Sequence, residues 1–261
     1  MCRMVRLDPV ELPIVAYGTD RPGGAPGASS VMPGEDFGLQ TSKAVLMNDI
    51  ERFISGFRVF QKDYFGPHSD HFEPLKHGQS PKTMIIGCSD SRVDPALLTN
   101  SAPGDIFMVR NVANLVPPYV SDSGQHGVSA ALEFAVCILE VEHVIVLGHS
   151  QCGGINALMN GNCEAKGGTF ISRWMAIAAP AKERIQTELP EKDPAYQQRA
   201  AEQAAILLSI ENLHSFPFVD ERITEGTLSL HGWYFDLREG ELMEYRADLG
   251  RFKKLTGETK V

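Results

Sequence analysis

What this chain lacks narrows its function first. No apolar run approaches the roughly 18 to 20 residues that a membrane-spanning helix needs, so a bilayer-embedded protein is not expected. Lys and Arg number 24 against 33 Asp and Glu, for a net charge of −9, and no basic run is present. Nucleic acid and anionic membranes are bound through basic patches, so neither is an expected partner. The acidic balance suits solubility. Five cysteines, Cys2, Cys88, Cys137, Cys152 and Cys163, form an odd, sparse set that does not make a disulfide framework. A reducing compartment is expected, most simply the cytoplasm. The basic start, Met1-Cys-Arg-Met-Val-Arg6, continues into Leu-Asp-Pro-Val-Glu instead of an apolar core. A secretory signal is therefore not expected, while an organelle transit role for residues 1–38 stays open. No internal repeat is visible.

What is present begins with a Gly- and Pro-rich leader over residues 1–38, which reads as flexible or draped chain. After Thr41 or Ser42 as N-cap, Val45, Leu46, Ile50, Phe53, Ile54, Phe57 and Phe60 fall at helical spacing. They predict an amphipathic helix to about Tyr64. Its aromatic stripe suits core packing or, over 39–65, an arm laid on a partner subunit. Strands are predicted at 83–87, 105–110 and 143–148. Helices are predicted at 123–139, from about Gly153, at 170–179 with a break at Pro180, and at 195–213. Leu228–Asp236 and Leu242–Tyr245 form a hairpin around a Gly-containing turn. The fold class is α/β: a mainly parallel sheet flanked by helices, an antiparallel edge hairpin at the C-terminus and an N-terminal helical arm.

Two strands share one grammar. Thr83-Met-Ile-Ile-Gly-Cys88-Ser-Asp90-Ser-Arg92 and His143-Val-Ile-Val-Leu-Gly-His149-Ser-Gln-Cys152 are apolar runs that stop after a Gly and present metal-ligand side chains. Continuous apolar strands are those buried on both faces of a parallel sheet. Functional groups gather beyond the carboxyl ends of such strands. Were these two neighbours, Cys88, Asp90, His149 and Cys152 would meet in one crevice.

Thiolate and imidazole together select zinc among common divalent ions. Cys88, His149 and Cys152 supply three ligands. Asp90 is the candidate fourth, but Arg92 beside it favours an ionised, oriented hydrogen-bond acceptor. The arrangement points to three protein ligands and an open position, the pattern of catalytic zinc. Asp90 on the metal would instead make a closed state.

These residues resemble the β-class carbonic anhydrases, in their plant-like branch. The likeness rests on Gly78-Gln-Ser-Pro-Lys82, Cys88-Ser-Asp-Ser-Arg92, Pro103-Gly-Asp-Ile-Phe107, Arg110-Asn-Val-Ala-Asn-Leu-Val-Pro-Pro118, Ala131-Leu-Glu-Phe-Ala-Val136 and Gly148-His-Ser-Gln-Cys-Gly-Gly154. It continues to the Gly232-Trp-Tyr-Phe-Asp236 hairpin and covers about residues 40 to 250. It implies reversible hydration of CO2 to bicarbonate and a proton, with one Zn2+ per chain on Cys88, His149 and Cys152 and a hydroxide nucleophile oriented by an Asp90–Arg92 dyad. Residues 39–261 would form a single zinc-dependent catalytic domain. The Gly153 amide would donate to substrate, and Gln79, Phe107 and Val112 would come from the neighbouring subunit of a homodimer or larger homo-oligomer. Phe134 stands where plant-like members usually carry Tyr, which removes one polar contact from the cleft. An apolar slot of Phe107, Val112 and Phe134 suits CO2. His126 and His143 are the candidate proton shuttles nearest the ligands by number.

Three alternatives stay open. Related zinc-hydroxide enzymes hydrolyse CS2 or COS. A closed site of Cys88, Asp90, His149 and Cys152 could serve assembly without catalysis. Gly148-His-Ser150-Gln-Cys152, with Asp220 and His231 following, approaches the nucleophile elbow of an α/β-hydrolase.

Overall fold

A computed structural model of the chain describes residues 40–67, 70–163 and 169–255, with side chains from residue 49 onward. The leader expected over 1–38 lies outside the described residues. These fall into two units, 40–79 and 80–255. In the first, helix α1 runs Gln40–Phe65, so the expected caps Thr41 and Ser42 lie inside it. Its Ile50, Phe53, Ile54 and Phe57 are exposed. At its end Phe60 and Phe65 gather on Phe72 of the short α2 (Phe72–Leu75), with Phe65 stacked at a centroid separation of 4.6 Å and Phe60 edge-on at 5.8 Å.

The second unit is built on six strands: β1 (Thr83–Cys88), β2 (Ile106–Asn111), β3 (His143–His149), β4 (Ser229–Asp236), β5 (Glu241–Arg246) and β6 (Arg251–Lys254). Their order is β2-β1-β3-β4-β5-β6, the first four parallel and the last two antiparallel. Each predicted strand is present. β1 and β3 are apolar throughout because both of their faces are covered. Met84, Ile86, Val144 and Val146 belong to one core, with Leu132, Ile206, Leu213 and Phe216. Ile85, Ile145 and Leu147 belong to another on the opposite face, with Val93 and the half-buried Trp233 and Phe235.

The connections follow local chemistry. Asp94 caps α3 (Pro95–Thr99) by accepting from the amides of Ala96 at 3.0 Å and Leu97 at 3.2 Å, and Pro95 takes the first turn. The helix expected from residue 123 begins instead at Gly127 as α4 (Gly127–Glu133) and continues as a π-helical turn, Phe134–Ile138. Its start is delayed because Asp122 turns the chain, accepting from the Gly124 amide at 2.7 Å. After β3 come α5 (Gly153–Met159), α6 (Thr169–Met175), α7 (Ala179–Glu188), α8 (Pro194–Leu213) and α9 (Pro217–Thr224). Asp193 and Pro194 start α8. Ala200, Ala201, Ala204 and Ala205 are buried along it, and small side chains allow close packing. A Cβ on Gly148 would lie 2.6 Å from Ile206 Cδ1, and one on Gly232 2.8 Å from Ile210 Cδ1. Those two glycines let α8 approach the sheet. Among the described residues no helix is long and apolar enough to cross a membrane.

Candidate metal centre

Strands β1 and β3 are hydrogen-bonded neighbours, with Gly87 opposite Leu147. Their carboxyl ends therefore deliver Cys88 and His149 side by side. Gln151 then adopts a left-handed conformation, φ 59°, unusual for a side chain of its type, and the sharp turn returns the chain to Cys152. The result is a buried group of three ligand atoms, from Cys88, His149 and Cys152, all within 4.8 Å of one another. The two Sγ atoms are 4.0 Å apart. Two thiolates on one tetrahedral zinc, each at about 2.3 Å, would stand about 3.8 Å apart.

The donor set also fits in its protonation. His149 Nδ1 lies 2.9 Å from the Ser150 carbonyl, which can only accept, so Nδ1 carries the hydrogen. Nε2 is left as the free ring nitrogen, buried and without a hydrogen-bond partner among the described residues. A buried polar atom with no partner calls for an explanation. Beside two thiols, a bound cation would supply it. The thiols themselves split. The hydrogen bond from Cys152 holds Cys88 well below the ordinary thiol range, and the same contact followed by burial pushes Cys152 up. Burial opposes a charge on His149, yet its contacts with Cys88 raise its pKa overall. The pocket thus holds protons that a cation would displace.

Asp90 stands apart from this ligand group. Arg92 grips it as a fork, Nε to Oδ1 at 2.9 Å and Nη2 to Oδ2 at 2.8 Å, and the Arg92 amide adds a third bond to Oδ1 at 3.0 Å. These bonds hold the Asp90 carboxyl far below the usual carboxylate range.

Several supporting residues carried no expected role. Arg110, at the end of β2, donates to the carbonyls of Cys88 at 2.8 Å, Asp90 at 2.7 Å and Val93 at 2.9 Å, and pairs with Asp94 at 3.1 Å. One guanidinium thereby shapes the whole Cys88–Val93 loop. A charged residue closing an otherwise apolar strand was its only signal. Glu202 in α8, 4 % exposed, accepts from the Cys152 amide at 3.0 Å, Gln198 at 3.0 Å and the Tyr234 hydroxyl at 2.8 Å. Burial raises its pKa against the pull of those donors. The fully buried Asp236 pairs with Arg199 at 2.8 Å.

The expected cleft residues divide. Val112 lies against this chain's own metal loop, its Cγ1 2.7 Å from where a Gly154 Cβ would sit. Trp174 fixes it by donating to its carbonyl at 2.7 Å. Gly153 opens α5, where the first amides have no intrahelical acceptor. Phe107 and Phe134 stack on each other at 5.7 Å. Gln79 belongs to the first unit. An open cavity of about 1140 Å3 runs along Arg110, Asn111, Val112 and Trp174 to His126.

The hydrolase triad does not assemble. Ser150 Oγ accepts from the Leu237 amide at 2.8 Å and lies 3.4 Å from Asp236, while Asp220 pairs with His214. His231 sits opposite Ile145, about 13 Å down the strand from His149. There it meets Glu244 at 3.1 Å and His143 at 3.2 Å.

The family profile described as Carbonic anhydrase matches residues 83–242. The chain is 36% identical over 203 residues to "Carbonic anhydrase" of Synechocystis sp., covering 78% of this chain and 73% of that one. It is 36% identical over 239 residues to "Beta carbonic anhydrase 5, chloroplastic" of Arabidopsis thaliana, covering 90% of this chain and 77% of the other. Among solved structures, the β-carbonic anhydrase CcaA superposes with a TM-score of 0.75 at 34% identity, covering 81% of this chain and 94% of that one. A tetrameric β-carbonic anhydrase of Sordaria macrospora gives a TM-score of 0.62 at 29% identity, covering 78% and 97%.

Proposed function

The chain belongs to the carbonic anhydrase family, in its β class, and on that premise we propose that it hydrates CO2 reversibly to bicarbonate and a proton at one zinc per chain. Cys88, His149 and Cys152 hold the ion. The observation that carries this reading is the buried Nε2 of His149, without a hydrogen-bond partner among the described residues, beside two thiols 4.0 Å apart. Zinc bound there supplies the Lewis acidity that makes water a competent nucleophile at neutral pH.

The chain's own residues do the rest. Asp90 can only accept, so it receives a hydrogen bond from the attacking oxygen and leaves one of that oxygen's lone pairs turned toward the carbon of CO2. Arg92 keeps that carboxylate ionised and aimed. Val112, Phe107 and Phe134 give CO2 an apolar surface, since the molecule offers little for a polar site to grip. The Gly153 amide donates to an oxygen of bicarbonate as it forms.

The protein acts as a homo-oligomer. The Sordaria relatives are described as tetrameric, and the exposed Ile50, Phe53, Ile54 and Phe57 of α1 form an apolar stripe that a second copy would cover. Gln79 and Phe107 then enter the site across the subunit interface. The compartment is the cytoplasm, with organelle import as the alternative that a chloroplastic relative keeps open.

Stopped-flow assay of the zinc-loaded protein tests the reaction. Rapid CO2 hydration is expected. Hydrolysis of CS2 or COS without CO2 hydration would move the chain to the related zinc-hydroxide reaction. Inertness toward all three would favour the closed, assembly-type site.

A further inference from the structure

Each CO2 hydrated leaves one proton in the site, and that proton must reach solvent before the next turnover. The groups beside the metal loops cannot carry it. Asp90 is clamped in its ionised form by three bonds from Arg92. Arg92 and Arg110 do not release protons near neutrality. His149 spends Nδ1 on the Ser150 carbonyl and Nε2 on the metal position. Glu202, on α8, already accepts from the Cys152 amide, Gln198 and the Tyr234 hydroxyl and is buried away from solvent.

The open cavity of about 1140 Å3 starts at the residues that touch those loops and ends at the head of α4. Arg110 binds the Cys88 and Asp90 carbonyls, the Asn111 carbonyl receives the Ser89 amide, and Val112 abuts Gly154. At the other end lies His126, the one imidazole lining the cavity. Imidazole is the side chain that exchanges protons near neutral pH. We propose that His126 is the group that takes the reaction's proton from water in this cavity and hands it to solvent. This rests on the CO2 hydration reading above.

The geometry suits the task. Asp122 Oδ1 lies 2.7 Å from His126 Nε2 and, as a carboxylate, can only accept, so Nε2 bears the hydrogen and Nδ1 is the basic nitrogen. Asp122 is itself held below the usual carboxylate range, first by that bond and then by the Gly124 amide. It stays charged and keeps the ring oriented. The ring is about one-third exposed, which lets an external base collect the proton. The other charged groups on the cavity are Arg110 and Arg173. The cycle balances: cavity water receives the proton left by hydration and passes one to Nδ1, the imidazolium yields it to a buffer base, and water and neutral His126 are both restored.

The test is His126→Asn in the zinc-loaded full chain, assayed by stopped-flow CO2 hydration at low buffer concentration. The imidazole makes no cap bond to α4, so its loss does not remove a helix cap. The chemical step reports in kcat/KM and is expected to stay within about twofold of the parent. Proton removal reports in kcat, which should fall about tenfold or more and recover when an imidazole buffer is added. An unchanged kcat at low buffer would overturn the assignment, and so would a loss that imidazole does not rescue. Failure of the parent protein to hydrate CO2 would instead overturn the reading on which the assignment rests.

Discussion

Arg92 joins the two loops that carry the candidate ligands: its Nη2 donates to Asp90 Oδ2 at 2.8 Å and to the Gln151 carbonyl at 3.1 Å. One guanidinium thus aims the carboxylate and braces the turn that precedes Cys152. Asp90→Ala is expected to keep zinc while losing about 100-fold or more in kcat/KM, since it removes the carboxylate that Arg92 holds ready for the reacting oxygen. Arg92→Ala should lower kcat/KM as well and also loosen zinc, because the Gln151 turn loses its brace. Metal analysis and stopped-flow kinetics separate the two effects. Full activity in Asp90→Ala would remove the carboxylate from the mechanism.

Zinc binding should release protons and weaken as pH falls. Cys88 is held low and Cys152 high, so the metal-free pair keeps a proton, and contacts with Cys88 favour a further one on His149. All three ligands must be deprotonated to bind. Calorimetric titration with zinc in buffers of different ionisation enthalpy measures the release. An affinity independent of pH between about 6 and 8 would contradict this protonation pattern.

Glu202→Ala should destabilise the fold. It strands the buried Tyr234 hydroxyl and the Cys152 amide, each of which now ends on that carboxylate. An unsatisfied buried donor costs about 1–3 kcal/mol, so urea denaturation of the metal-free protein should show a loss of that order. No change in the denaturation midpoint would mean that water replaces the carboxylate without cost.

At Gly148 a methyl group has nowhere to go, with Ile206 Cδ1 2.6 Å from the Cβ position. Gly148→Ala is expected to cost about 1–3 kcal/mol by forcing α8 off the sheet. Because His149 follows directly, zinc affinity should fall together with the melting temperature. A variant that melts like the parent would show that Ile206 simply turns aside.

The strands and the three ligands were legible because they depend on short-range patterns: an apolar run, a Gly, then a Cys or His. The brace around them was not, because it is assembled at long range. Glu202 lies 50 residues from Cys152 and looks, in sequence, like any acidic residue on an alanine-rich helix. Arg110 belongs to a different strand from the loop it shapes. The edge strand β6, Arg-Phe-Lys-Lys, escaped because only Phe252 is buried and the charged residues on either side read as surface. α9 was missed for a related reason: it is short, begins at Pro217 and carries Asp220, Glu221 and Arg222.

The most direct test of the central claim is X-ray absorption at the zinc edge of purified protein near pH 8, before and after cyanide. The account predicts stoichiometric zinc with two sulfur neighbours at about 2.3 Å and two lighter ones, one of which cyanide replaces. Protein without stoichiometric metal, a spectrum lacking sulfur, or a coordination shell that cyanide leaves untouched would contradict it.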